Sequence, residues 1–164
     1  MFERLNTPEE AYNWQLGSAL TMEQTVHDML GDLQEEAQDE NLKQLFQHHQ
    51  EETRQQIANL ERVFSVFGWD VEDSPCPAIK AIEKEGKANV KKTDDSIVDS
   101  IILAGAGQTE HHEIAVYENL ITNARAMGRD DVAGLLQENL EIEEHTLQEV
   151  KRAAERVAAV SPKA

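Results

Sequence analysis

Six ionisable side chains fall where the apolar stripe of a helical bundle expects leucine: Glu23, His49 with Glu52, Glu110 with Glu113, and Glu143. They are spread over four separate segments of helical period, near the middle of each. A carboxylate taken out of water without a partner costs several kcal/mol, so a chain built this way folds only if those charges are compensated. Two compensators are open. One is a dinuclear metal centre on the bundle axis; the other is pairing with arginines or water, for which Arg54 and Arg125 are the available cations.

The segments that carry these residues are delimited by local chemistry. Thr7-Pro8-Glu9-Glu10 combines an N-cap, a proline at the first helical position and a capping-box glutamate, predicting a helix over about 7–39 that turns Tyr12, Leu16, Leu20, Glu23 and Leu30 inward. A break near Asp39-Glu40-Asn41 precedes a second helix over 41–67, with Leu42, Leu45, Phe46, His49, Glu52, Leu60 and Val63 on one face and Gly68 at its end. The stretch WDVEDSPCP reads as loop, and 77–91 as a short, highly charged helix. A third long helix over 94–127 presents Leu103, Ala106, Glu110, Glu113, Ile114, Tyr117 and Leu120 and stops at Gly128. A fourth over 129–160 presents Val132, Leu136, Asn139, Glu143, Leu147, Val150 and Val157.

Four long helices in two short-looped pairs, joined by a long crossover holding a short fifth helix, describe an all-α, ferritin-like four-helix bundle over 1–164. Gly105 and Gly107 in LAGAG follow no strand, so they are expected to permit close helix approach rather than to cradle a phosphate. Trp14 falls opposite Glu23 and points outward, at a partner subunit or at solvent.

Composition narrows the function classes. With 32 Asp plus Glu against 15 Lys plus Arg, the formal charge of −17 repels nucleic-acid backbones and anionic membranes and attracts cations. No stretch approaches the roughly 18 apolar residues of a membrane span, and MFERLNTPEE has no leader pattern. The single cysteine, Cys76, excludes an internal disulfide and reads as a small buried apolar residue, so a cytoplasmic protein is expected.

Bridging carboxylates with one histidine suit borderline cations such as Fe²⁺ and Mn²⁺, with Zn²⁺ a substitute on ligand type alone. The six residues would then hold two Fe or two Mn ions. His111 and His112 look attractive in EHHE, but their helical angles turn them more than a right angle from the Glu110/Glu113 face. Tyr117, one turn after Glu113, is either a satisfied core tyrosine or one that hydrogen-bonds a ligand carboxylate or acts as a redox-active neighbour. His27, one turn beyond Glu23, is a candidate hydrogen-bonding neighbour of that carboxylate.

His49 with Glu52-Thr53, the run EHHEIAVYENL from Glu110 to Leu120, and the acidic segment around Glu143 resemble the YciE/YciF-type bacterial stress proteins of the ferritin-like superfamily. The resemblance spans nearly the whole chain, including the cysteine in the crossover, and its most specific piece is Glu110 to Tyr117. It implies a four-helix bundle with a short fifth helix, often dimeric, with a di-iron or di-manganese site. One departure stands out. The Glu-x-x-His motif of the wider superfamily is absent, because Gln55 and Thr146 stand three residues after Glu52 and Glu143, and His49-x-x-Glu52 reverses the order.

Three functions remain open on the sequence. The first is a stress-response oxidoreductase acting on peroxide or O₂, catalase-like in one form. The second is an iron-handling protein, and the third a structural or interaction protein that dimerises with structural metal or none.

Overall fold

The structure, a computed structural model, describes residues 4–160; of the domain expected over 1–164, residues 1–3 and 161–164 lie outside the described residues. The described residues form five helices: α1 (Pro8–Glu36), α2 (Glu40–Phe67), α3 (Pro77–Lys91), α4 (Val98–Ala126) and α5 (Asp130–Val160). α1 pairs with α2 and α4 with α5; α2 packs on α5 and α1 on α4 to close the ring, and α3 lies against α1 and α4. This is the all-α bundle with a crossover helix that the hydrophobic period predicts. None of the described helices is long and apolar enough to cross a membrane.

The helix ends follow from side-chain chemistry. The Thr7 hydroxyl accepts from the Glu10 amide at 3.1 Å and the Glu10 carboxylate accepts from the Thr7 amide at 3.3 Å, completing the capping box. α1 stops at Glu36, short of the expected residue 39. The amides of Gln38 and Asp39, which would continue it, donate instead to the Asp99 carboxylate of α4 at 2.8 and 3.0 Å. Asp39 then caps α2 through the Asn41 amide. α4 starts at Val98 rather than 94, because the Asp94 side chain accepts from both the amide and the hydroxyl of Ser96 and holds that stretch as a turn. Gly68 and Gly128, both at φ 71°, end α2 and α4 in the left-handed conformation, with the next residue's amide bonded back to Phe64 and Ala124.

The close approach expected at Gly105 and Gly107 is not there. A Cβ on Gly105 would meet nothing within 4 Å, and one on Gly107 only Val150 Cγ1 at 3.9 Å. The tight glycine is Gly17 on α1, where a Cβ would stand 2.7 Å from the Glu72 carbonyl oxygen and 2.7 Å from Ser74 Oγ. The crossover is strapped to α1 there by Thr21 Oγ1 donating to the Ser74 carbonyl at 2.7 Å and Ser18 Oγ to that of Pro75 at 3.2 Å. Gly17→Ala is therefore expected to lower stability by about 1–2 kcal/mol. The overpacking cost of about 1–3 kcal/mol exceeds the helix-propensity gain of up to about 1 kcal/mol. A urea titration checks this, and a rise in the midpoint would mean that the strap yields.

Tyr12, Leu16, Leu20 and Val26 of α1, Phe46 and Leu60 of α2, Leu120 of α4 and Leu136 of α5 fill the core. Cys76 is buried and unpaired, as its apolar reading requires, and Trp14 is exposed. Between the apolar layers lies a buried polar one, which holds the candidate site.

Candidate metal centre

All four long helices deliver a side chain to one level of the bundle. Glu23 on α1, His49 on α2, Glu110 and Glu113 on α4 and Glu143 on α5 are each at most 2% exposed. His49 Nε2 lies 3.5 Å from Glu110 Oε1 and 3.6 Å from Glu143 Oε2. His49, Glu110, Glu113 and Glu143 each offer a ligand atom within 4.8 Å of all the others, so these four can hold a metal ion.

Glu23 and Glu52 flank that group in different ways. Glu23 is fully buried and accepts a 2.5 Å hydrogen bond from the Tyr117 hydroxyl, which itself accepts from Asn139 Nδ2 at 3.0 Å. Tyr117 thus bonds one of the expected carboxylates. Glu52 sits at the edge of the stripe, with its side chain 25% exposed and its Oε2 3.6 Å from His49 Nδ1. That is the outer nitrogen, the one within 3.3 Å of Thr146 Oγ1, while Nε2 faces the inner carboxylates. A carboxylate on the far nitrogen fixes the ring's orientation and tautomer, a common arrangement behind histidine ligands.

Burial governs the charge states. Desolvation pushes Glu113 and Glu143 well above the usual carboxylate range, and in each case the carboxylate of Glu23 is among the neighbours that push further. Glu23 rises to about 7, desolvation outweighing the Tyr117 hydrogen bond and the nearby His49. Burial alone would depress the His49 imidazole, but Glu110, Glu52 and Glu143 override it and hold the ring's pKa well above its ordinary value. Glu52, beside the His49 ring and less buried, is lowered.

Several atoms of this layer remain without a hydrogen-bond partner: Glu23 Oε2, His49 Nε2, Glu110 Oε2, both oxygens of Glu113 and Glu143 Oε2. Native interiors seldom leave buried polar atoms unpaired, and a cluster of carboxylate lone pairs around one imidazole nitrogen matches a hard-to-borderline cation. Arginine does not supply the charge. Arg54 donates to His27 Nε2 at 3.1 Å and Arg125 is exposed, and among the described residues no lysine or arginine pairs with a buried glutamate of the cluster. His27, bonded to Arg54 and 3.5 Å from Asp28, is therefore occupied away from Glu23, contrary to expectation. His111 is exposed, and neither it nor His112 joins the converging group.

A polar network backs the cluster, and of its members only Asn139 is among the inward residues expected from the sequence. Gln56 Nε2 donates to Glu143 Oε1, Asn139 Nδ2 to the Gln56 carbonyl at 3.1 Å, and Asn59 Nδ2 to Asn139 Oδ1 at 2.8 Å. Gln56 and Asn59 continue the His49 face at helical spacing, so the signal was a polar run along a buried stripe.

A family model described as a domain of unknown function (DUF892) matches residues 7–161. Protein YciF of Escherichia coli strain K12 is 31% identical over 144 residues, 87% of either chain. Among solved structures, the E. coli stress protein YciF superimposes with a TM-score of 0.91 at 27% identity, over 96% of this chain and 100% of that one. YcfI of Rhodopseudomonas palustris, described as a candidate structural protein, superimposes with a TM-score of 0.83 at 31% identity over 99% of each chain.

Proposed function

The chain belongs to the DUF892 family, and from that premise we propose that it binds two Fe or two Mn ions in the buried centre and uses them in stress-related redox chemistry on peroxide or O₂. The observation that carries this reading is the set of buried ligand atoms left without partners, on side chains from all four long helices. Zn²⁺ is the expected substitute in the same ligands.

His49 Nε2, Glu110, Glu113 and Glu143 would hold metal directly, and Glu23 would extend the set toward a second ion. Bound there, iron or manganese would supply a one-electron change between the +2 and +3 states. The chain's own contribution is positioning and proton control. Gln56 holds one oxygen of Glu143 and leaves the other free; Tyr117 does the same for Glu23. Glu52 orients the His49 ring through Nδ1 rather than joining the inner ligands. The leucine and phenylalanine layers above and below keep bulk water from the centre, which strengthens every interaction between charge and dipole in it. A homodimer with exposed Trp14 at its interface, in a reducing, cytoplasmic setting that the unpaired Cys76 suits, completes the proposal.

A second reading is a structural protein in which metal only holds the bundle, as the description of YcfI suggests. Iron handling is a third; in its storage form it requires many subunits enclosing a cavity, which particle size would reveal. Loading the protein anaerobically with Fe²⁺ or Mn²⁺ and following peroxide loss separates the first two. Turnover in the loaded chain and none in the metal-free chain is expected. Bound metal without turnover would leave the structural reading in its place.

A further inference from the structure

Resting on the metal reading above, we propose that His48, Glu52 and His145 form a cation relay on the α2–α5 seam, a surface station through which divalent metal enters the buried centre. Glu52 is the one residue of the expected set that reaches solvent: its side chain is 25% exposed, whereas those of His49, Glu110 and Glu143 are 0–3% exposed. Its two oxygens face opposite ways. Oε1 lies 3.4 Å from Nε2 of His48, a ring 66% exposed, and Oε2 lies 3.6 Å from Nδ1 of buried His49. From His49 the next steps are 3.5 Å to Glu110 and 3.6 Å to Glu143. Nitrogen and oxygen ligands thus line both edges of the His49 ring, Nδ1 toward the surface and Nε2 toward the centre, with contacts of 3.4–3.6 Å on either side.

His145, on α5 two residues from Glu143, lies within electrostatic reach of the Glu52 carboxylate, and its ring is 64% exposed with Nε2 3.9 Å from Glu149. Leu20, Val26, Phe46, Leu140 and Leu147, in turns neighbouring the centre, are buried. An ion crossing those would have to shed its hydration shell without replacement, which is prohibitive. An ion on the seam exchanges water for imidazole and carboxylate one ligand at a time. His48, Glu52 and His145 do not converge as the inner four do, which suits a station that must release its cargo. The net charge of −17 raises the local cation concentration at such a mouth.

The test is anaerobic stopped-flow uptake of Co²⁺ by the metal-free full-length chain, read from the visible absorption of the bound ion. The double variant His48→Ala/His145→Ala should reach the wild-type stoichiometry and final spectrum with an uptake rate constant reduced about ten-fold, the lower end of what charge and ligand steering contributes. His111→Ala, an exposed histidine on α4, should leave the rate unchanged. Both double-variant sites are on the surface, and circular dichroism checks that the helices persist. Wild-type uptake with an unchanged rate in the double variant overturns the relay alone. A slowed rate in His111→Ala as well also overturns it, since histidines anywhere would then suffice. A wild-type chain that takes up no Co²⁺ overturns the relay and the metal reading together.

Discussion

Replacing Glu113 by glutamine is expected to abolish metal retention while raising the stability of the metal-free chain by about 1–3 kcal/mol at neutral pH. Glu113 is fully buried, and neither of its oxygens has a partner. In the metal-free protein it must either carry an unpaired charge or take up a proton far above its ordinary range, and both cost free energy. The amide has the same shape without the charge. It also brings donors toward Glu143, Glu23 and Glu110, the carboxylates whose field bears on this position. Stability gained where function is lost marks a site selected for binding rather than for packing. Urea unfolding together with metal analysis checks both halves. A variant that retains wild-type metal would remove Glu113 from the ligand set, and one that loses stability would mean the carboxylate is satisfied in the free protein. Glu141→Gln, on the exposed flank of α5, should change neither quantity.

The pH dependence of stability should change sign on metal binding. In the metal-free chain, Glu23 titrates at about 7 against 4.5 for the ordinary group, so between those values the folded protein keeps a proton that the unfolded chain has released. Its stabilising contribution is complete below about pH 4.5 and lost as pH rises through about 7. Glu113 and Glu143 shift in the same direction. His49, raised above 6.5, adds a contribution complete below that value and lost as pH rises through its folded pKa. All four therefore favour the folded state on the acid side. Glu23 alone accounts for about 2–3 kcal/mol between pH 5 and pH 8, roughly 5–10 °C in melting temperature for a domain of this size. The carboxylates of Asp39, Glu52, Glu83 and Asp131 are lowered and act oppositely, destabilising the fold as pH falls through their folded values. A maximum near pH 5 is the expected profile for the metal-free protein.

Metal replaces those protons, so the loaded protein should gain stability as pH rises over the same window. Thermal melts of metal-free and loaded protein at pH 5, 6.5 and 8 would show trends that diverge as pH rises, the loaded protein being the more stable throughout. Parallel trends would mean that metal does not occupy these carboxylates.

The bundle was legible because its determinants are local. The Thr7-Pro8 start, the glycines after α2 and α4 and the 3.6-residue period of the inward faces each act within a turn or two of chain. What escaped depends on contacts between distant segments. Asp99 shortens α1 from 60 residues away in sequence, and Gly17 is needed only because residues 72–74 cross it. The depth of five of the six expected side chains, four acids and His49, was also predictable, since each sits near the centre of its stripe. Glu52 lies about 60° around the helix from His49, enough to reach water once α5 packs alongside. The same spacing that put Glu52 among the ligands in the linear reading puts it at the doorway in three dimensions. Gln56, Asn59 and Asn139 could have been recognised as a polar ladder, but their pairing across α2 and α5 requires the rotation of both helices, which no one-dimensional period supplies.

Elemental analysis of the protein purified without an affinity tag, counting Fe, Mn and Zn per chain before and after anaerobic reloading, tests the buried centre most directly. About two Fe or Mn ions per chain, falling away in Glu113→Gln, is the expected result; no bound metal, even after reloading with Fe²⁺ or Mn²⁺, would contradict it.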